Sequence, residues 1–235
     1  MAVRVVTDST AYLPTDLAEA SSLHVVPLTV TVSGRDGREG IDVSPADVAA
    51  ALAERRMIVT TSRPAPAEFS QAYQNLLDAG ASGVVSVHLS ARLSGTYESA
   101  RMAAADFGDR VAVVDAATAG MGVGFVAIAA HQAASRGGVV AAVRDAALVA
   151  AARTHTLFYV DTLEFLRRGG RISAASALLG TALSVKPILH VLGGEVVLRE
   201  KVRTAGRALA RLVELAAEEA GESDVDIAVQ HLGAA

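Results

Sequence analysis

The stretch Gly83-Val84-Val85-Ser86-Val87-His88 is a short β-branched run without a regular polar alternation. Such a run reads as a strand buried on both faces, the situation of a central strand in a parallel sheet covered by helices. The alanine-rich stretch 96–107 then predicts a helix, and the loop before it ends on Ser94-Gly95-Thr96. A helix start leaves backbone N–H groups without partners and carries the positive end of the helix dipole, so this loop suits an anion. Simple capping by Ser94 accounts for the same residues, and both readings stand at this point.

The same strand, polar loop, helix order recurs along the first part of the chain. Residues 3–7 predict a strand closed by Thr7-Asp8-Ser9-Thr10, with a short helix after it to about residue 20. Residues 24–32 alternate like a half-exposed strand whose Pro27 suggests an edge, and 33–37 read as a turn. Ser44-Pro45-Ala46-Asp47 supplies an N-cap, a first-turn proline and a first-turn acid for a helix to about residue 55. The hydroxyl-rich stretch 58–66 is held extended by two prolines ahead of a helix over 67–79, which makes Thr60-Thr61-Ser62 a second anion-loop candidate. A strand over 110–115, helices ending near 136 and 153, and a strand over 155–160 continue the alternation. It predicts a mostly parallel α/β sheet with polar loops gathered at one edge.

After Asp161 the texture changes. A short helix to 166, the turn Arg167-Arg168-Gly169-Gly170-Arg171, a segment over 174–179, and strands over 185–191 and 195–200 joined by Gly193-Gly194 come first. A long amphipathic helix over 204–220 and a last strand over 224–230 follow. The expected organisation is α/β with two domains: an N-terminal, mostly parallel α/β sandwich over 1–153 and a smaller C-terminal α+β domain over 154–235.

Composition removes several function classes. The chain has 235 residues, 51% hydrophobic and 20% charged, which excludes disorder. No apolar run reaches the roughly 18 to 20 residues of a membrane span, and the N-terminus lacks a signal-peptide pattern, so a cytoplasmic protein is expected. A formal charge of −4 without a basic block argues against nucleic acid. Cysteine is absent, and His24, His131, His155 and His190 lack metal-ligand spacing, so no metal and no cofactor are expected. His88 reads as a packed polar residue. Ser94 lacks the glycine-flanked elbow of a nucleophile and has no evident base, which leaves a serine hydrolase as the weakest reading.

Six motifs carry a resemblance. Thr7-Asp8-Ser9-Thr10, Thr61-Ser62-Arg63-Pro64, Leu93-Ser94-Gly95-Thr96-Tyr97, Arg168-Gly169-Gly170-Arg171-Ile172, Lys186-Pro187-Ile188-Leu189 and Lys201-Val202-Arg203-Thr204 occur in the order and spacing of the DegV family. The chain resembles that family from residue 1 to about 231. The resemblance implies a bacterial cytosolic fatty acid carrier without catalytic machinery of its own, its acyl chain in a tunnel between the two domains. It also implies a separate ATP-dependent fatty acid kinase subunit as partner, which makes the acyl phosphate, a phospholipid precursor.

Carried over by motif, Thr61, Ser62, Ser94 and the Gly95 amide would contact the carboxylate of a ligand such as palmitate or oleate. Arg171 would lie near the same headgroup, and His231 matches the start of a late histidine segment. Family members usually continue some forty residues further, so the chain is expected to be shortened there. Asp8 and Ser9, after the first strand, and Arg168, beside Gly169, are further candidates for contact with the headgroup or a partner. Neutral hydroxyl and amide donors suit a carboxylate, because charge-assisted hydrogen bonds need no buried countercharge. The alternative is a binder of a phosphorylated or other polar small molecule at the same loops.

Overall fold

The computed structural model describes residues 2–54, 58–172 and 185–232. The chain divides into two compact units, one running to Thr154 and including the segment from Val229, the other His155–Ala228. The segment expected over 174–179 lies outside the described residues.

The first unit is built on four parallel strands in the order β2-β1-β6-β7, namely β1 (Val3–Asp8), β2 (His24–Val26), β6 (Gly83–His88) and β7 (Val111–Asp115). Every residue of β6 is buried, in keeping with a β-branched run that lacks regular polar alternation. Strand periodicity divides the core in two. Val3 and Val5 of β1, Val85 and Val87 of β6 and Val114 of β7 pack on one face with Val126, Ala127, Ala130, Val143 and Ala147. These last belong to α5 (Met121–Ser135) and α6 (Val140–Arg153). Val6 and Val84 point the other way, onto Phe69, Ala72, Tyr73, Ala100 and Ala103 of α3 (Pro66–Asp78) and α4 (Thr96–Ala104). Helices thus cover both faces of a parallel sheet.

Two sequence expectations need correction here. The stretch 24–32 is not one strand: Pro27 interrupts it, β2 joins the parallel sheet, and β3 (Thr29–Val32) enters a separate antiparallel sheet of order β4-β3-β5. Proline removes a ladder donor, which is where the chain changes sheet. Residues 35–38, read as part of a turn, form β4 (Arg35–Arg38) after the bend Ser33-Gly34, both at positive φ. The hydroxyl stretch Thr60-Thr61-Ser62 lies on β5 (Val59–Ser62), paired with β3 in the register Val30 with Thr61 and Thr29 with Ser62. Helix α2 (Pro45–Ala53) begins as expected, with Ser44 and Asp47 in a reciprocal capping box. Helix α1 (Thr15–Ser21) follows a 3₁₀ turn at Ser9–Ala11.

The second unit holds an antiparallel sheet of order β10-β9-β8, from β8 (Leu157–Tyr159), β9 (Lys186–Leu192) and β10 (Glu195–Val202). The β9–β10 turn is Gly193-Gly194, both at positive φ, as tight hairpins demand. Helix α8 (Ala205–Ala220) covers this sheet, burying Ala208 and Leu215 against Ile188; α7 (Glu164–Arg168) is a short exposed helix. The strand expected over 224–230 does not form. Val225, Ile227 and Val229 alternate but are exposed, and no strand among the described residues pairs with them, so the ladder that defines a strand is missing. Among the described residues no helix is long and apolar enough to cross a membrane.

Two outcomes follow for the second unit. Leu215→Ala should cost about 2–5 kcal/mol through the cavity it leaves, read as a lower urea midpoint. His190 sits mid-sheet, paired with Leu157 and Val197; burial, with the Arg199 charge beside it, holds its pKa below the ordinary histidine value. The unfolded chain therefore takes the proton first, so His190 contributes stability above about pH 6.5 that is lost as pH falls below it. Melting temperatures at neutral and mildly acid pH should diverge, and His190→Gln should narrow the gap.

Candidate functional site

The parallel strands β1, β6 and β7 all end at the same edge of their sheet, and the loops that follow are tied together there. Asp8, the last residue of β1, is fully buried. Its Oδ1 accepts from the Thr10 amide at 3.0 Å and the Thr10 hydroxyl at 2.5 Å. Its Oδ2 accepts from the Leu89 amide at 3.2 Å and meets Nδ1 of His88 at 2.9 Å. His88 Nε2 lies 2.7 Å from the Ser86 hydroxyl, which is 2.9 Å from the Tyr73 hydroxyl. Burial pushes the Tyr73 hydroxyl far above the ordinary tyrosine value, so it remains a donor. One donor order satisfies every group: Tyr73 to Ser86, Ser86 to His88, His88 to Asp8. Phe69 closes the arrangement edge-on to the imidazole at 4.9 Å.

Ser86, His88 and Asp8 follow the order of a hydrolase triad, but all three are fully buried and the Ser86 hydroxyl is engaged by Tyr73. The set is a structural clamp between β1, β6 and α3. Sequence reading found His88 as a packed polar residue and missed its partners. The signal was there in Ser86 and His88, polar residues within a run read as buried, since such groups require hydrogen-bond partners.

Beyond β6 the loop is held by its own turns and by its neighbour. The Leu93 and Ser94 amides donate to the Ser90 carbonyl at 2.9 and 3.0 Å, and the Ser90 amide donates to the Thr118 carbonyl at 2.8 Å. Asp115 Oδ1 accepts from the Ala117 and Ala91 amides at 2.8 and 3.3 Å. Ser94 is half-buried, its hydroxyl 2.9 Å from that of Thr96. No acceptor among the described residues takes the Gly95 N–H. The end of β5 comes to this place through Arg63, whose guanidinium lies on Gly95 so closely that a Cβ there would strike Arg63 Nη1, Cδ and Cζ. Thr61 and Ser62 are exposed, and neither hydroxyl is bonded among the described residues.

The sequence-predicted residues therefore fall into three groups. The loops of Thr61-Ser62 and Ser94-Gly95 are brought together in the first unit. Asp8, expected to contact a headgroup or partner, is instead committed inside the protein, and Ser9 is likewise engaged, donating to Glu39 at 2.6 Å and accepting from the Leu28 amide at 2.9 Å. Arg168 and Arg171 belong to the second unit: Arg168 pairs with Glu164 at 2.5 Å, and Arg171 contacts the Gly169 carbonyl. His231 is exposed on the segment following Val229. A shallow depression of about 220 Å³ lined by His24, Pro27, Arg38 and Gln71 shares no residue with these loops. No cluster able to hold a metal ion occurs among the described residues.

Removing the central acceptor should release the edge. Asp8→Ala should cost about 1–3 kcal/mol for each buried donor left without an acceptor, and hydrogen exchange should accelerate at the Thr10 and Leu89 amides. A variant as stable as the wild type with unchanged exchange there would remove the clamp from the account.

Comparison with known proteins gives a consistent picture. The family model described as "Uncharacterised protein, DegV family" matches residues 2–235. A DegV domain-containing protein of Streptomyces coelicolor is 51% identical over 232 residues, covering 99% of this chain and 82% of the relative. Among solved structures, a DegV family protein from Thermus thermophilus described for its fatty acid binding has a TM-score of 0.87 at 37% identity, covering 94% of this chain and 79% of that one. DegV of Bacillus subtilis, described as a fatty acid binding protein, has a TM-score of 0.83 at 33% identity, with coverages of 94% and 79%. The chain belongs to the DegV family.

Proposed function

We propose that this protein binds a long-chain fatty acid and presents its carboxylate to a separate ATP-dependent kinase subunit that forms the acyl phosphate. The carboxylate would be held by the Thr61, Ser62 and Ser94 hydroxyls and the Gly95 N–H, with Arg171 and His231 as further headgroup contacts and the acyl chain in an apolar tunnel. The single observation that carries the reading is the seating of Arg63 on Gly95, which joins the end of β5 to the Ser94-Gly95 loop. The Thr61 and Ser62 hydroxyls and the Gly95 N–H, without acceptors among the described residues, are the donors an incoming carboxylate needs. Relatives described as fatty acid binding at 37% and 33% identity supply the ligand class.

The energetics divide between head and tail. Each buried methylene contributes about 0.8 kcal/mol, so a C16 chain supplies most of the affinity. Hydrogen bonds to a charged group contribute about 1.5–3 kcal/mol each and fix which end of the ligand is offered. Among the described residues no group at these loops is arranged as a nucleophile with its base, and the Ser86–His88–Asp8 chain is buried. The protein acts as a carrier.

Native mass spectrometry of the purified protein, followed by extraction of whatever came with it, tests this reading. A stoichiometric fatty acid is expected, and palmitate or oleate at about 100 times Kd should stabilise the empty protein by about 2.7 kcal/mol. Ser94→Ala should weaken retention by about 1.5–3 kcal/mol with little change in folding stability, because one donor is lost and the apolar contacts stay. Absence of lipid combined with no thermal response to either fatty acid would sink the proposal, and a response to a phosphorylated compound instead would put a polar ligand at these loops.

A further inference from the structure

We infer that Arg63 supplies a positive charge to this headgroup site, at the hydroxyl end of it, and that Gly95 is there to let it. The inference rests on the fatty acid reading above and adds a residue that neutral-donor chemistry alone would leave out.

Three observations carry it. First, the guanidinium lies on the Gly95 backbone, where a Cβ would come within 2.8 Å of Arg63 Cδ and 3.1 Å of Cζ. Gly95 has φ −77° and ψ 7°, a conformation open to any residue, so close approach rather than backbone geometry excludes a side chain. Second, no acceptor among the described residues takes this cation. The Glu98 carboxylate feels the Arg63 charge, but both Glu98 oxygens are taken by Arg101, at 2.9 and 2.7 Å. No other acceptor among the described residues bonds Arg63. Third, its immediate surroundings are the donors of the site: Thr61 and Ser62 precede it in the chain, and Ser94 and the Gly95 N–H adjoin its resting place.

An arginine fork presents two parallel N–H groups that match the two oxygens of a carboxylate. A solvated surface arginine would account for the exposure, but it would give no reason for the glycine beneath it. Held on Gly95, the guanidinium stands where a carboxylate gripped by Ser94 and Thr61 receives it without a rotamer search, and the ordering cost is met before the ligand arrives.

The experiment compares palmitate with palmityl alcohol, which has the same chain and no charge, across the wild type, Arg63→Met, Arg63→Lys, Gly95→Ala and the Arg63→Met/Gly95→Ala pair. Arg63→Met should weaken palmitate by about tenfold or more while shifting the alcohol less than about twofold. Arg63→Lys should recover part of the loss, since charge returns without the fork. Gly95→Ala should weaken palmitate in the wild-type background and do little once Arg63 is Met, the non-additivity expected of two residues acting through one contact. Palmitate affinity unchanged by Arg63→Met overturns the inference, as does an equal loss for both ligands, which would mark a structural role. A wild type that binds neither ligand overturns the fatty acid reading itself, a result separable from either of these.

Discussion

The buried carboxylate of Asp8 is the point on which the sheet edge depends. It closes β1, reaches across to β6 through His88 and the Leu89 amide, and holds the first residues of its own loop through Thr10. A carboxylate without solvent is costly unless its lone pairs are filled, and here four donors fill them. Such a group cannot move without leaving several polar atoms unpaired. The start of the loop that ends in Ser94-Gly95 is therefore fixed by hydrogen bonds made in the core, not by contacts within the loop alone. Asp115 repeats the device one strand over, accepting from Ala117 and from Ala91 of the neighbouring loop.

The fold was most legible in the sequence where local chemistry and burial agree. The β-branched run of β6, the Ser44-Pro45-Asp47 start of α2 and the Gly193-Gly194 hairpin each carry a self-contained physical reason for one conformation. Reading failed where a strand's identity depends on its neighbour. His24–Val26 and Thr29–Val32 look like one alternating strand, yet Pro27 sends the second half into another sheet, beside β4 and β5. The stretch 224–230 has the alternation of a strand and none of the ladder partners among the described residues. Periodicity records which faces a segment can offer, while pairing is decided by residues far along the chain.

The site was legible in part for the same reason. Hydroxyls and a glycine before a helix flagged Ser94-Gly95, and two prolines flagged the Thr61-Ser62 segment, because turn and cap chemistry is local. Asp8 looked equally available, since an acid after a strand normally faces a loop. Only the fold reveals that His88, 80 positions away, turns it inward. Arg63 went unremarked beside its two hydroxyl neighbours, and its meaning appears only when the chain lays it on a glycine from another loop.

The resulting division of labour explains why charge is distributed as it is on this edge. The Asp8 carboxyl is spent on geometry inside the protein, its oxygens taken by Thr10, His88 and the Leu89 amide. The donors at the loops are neutral and backbone-anchored, which gives direction with little desolvation cost. On the proposed reading, a ligand whose affinity comes mainly from its chain needs its headgroup oriented more than gripped. A carboxylate bonded at the surface by hydroxyls, an amide and the Arg63 guanidinium meets that need. Deep ion pairing would instead make the oxygens hard to surrender to a phosphoryl donor, because each buried contact would have to be broken before transfer. Rigidity from the core and weak, well-aimed contacts at the rim would thus be complementary requirements of the proposed function, in which an acyl chain is held and its end still offered.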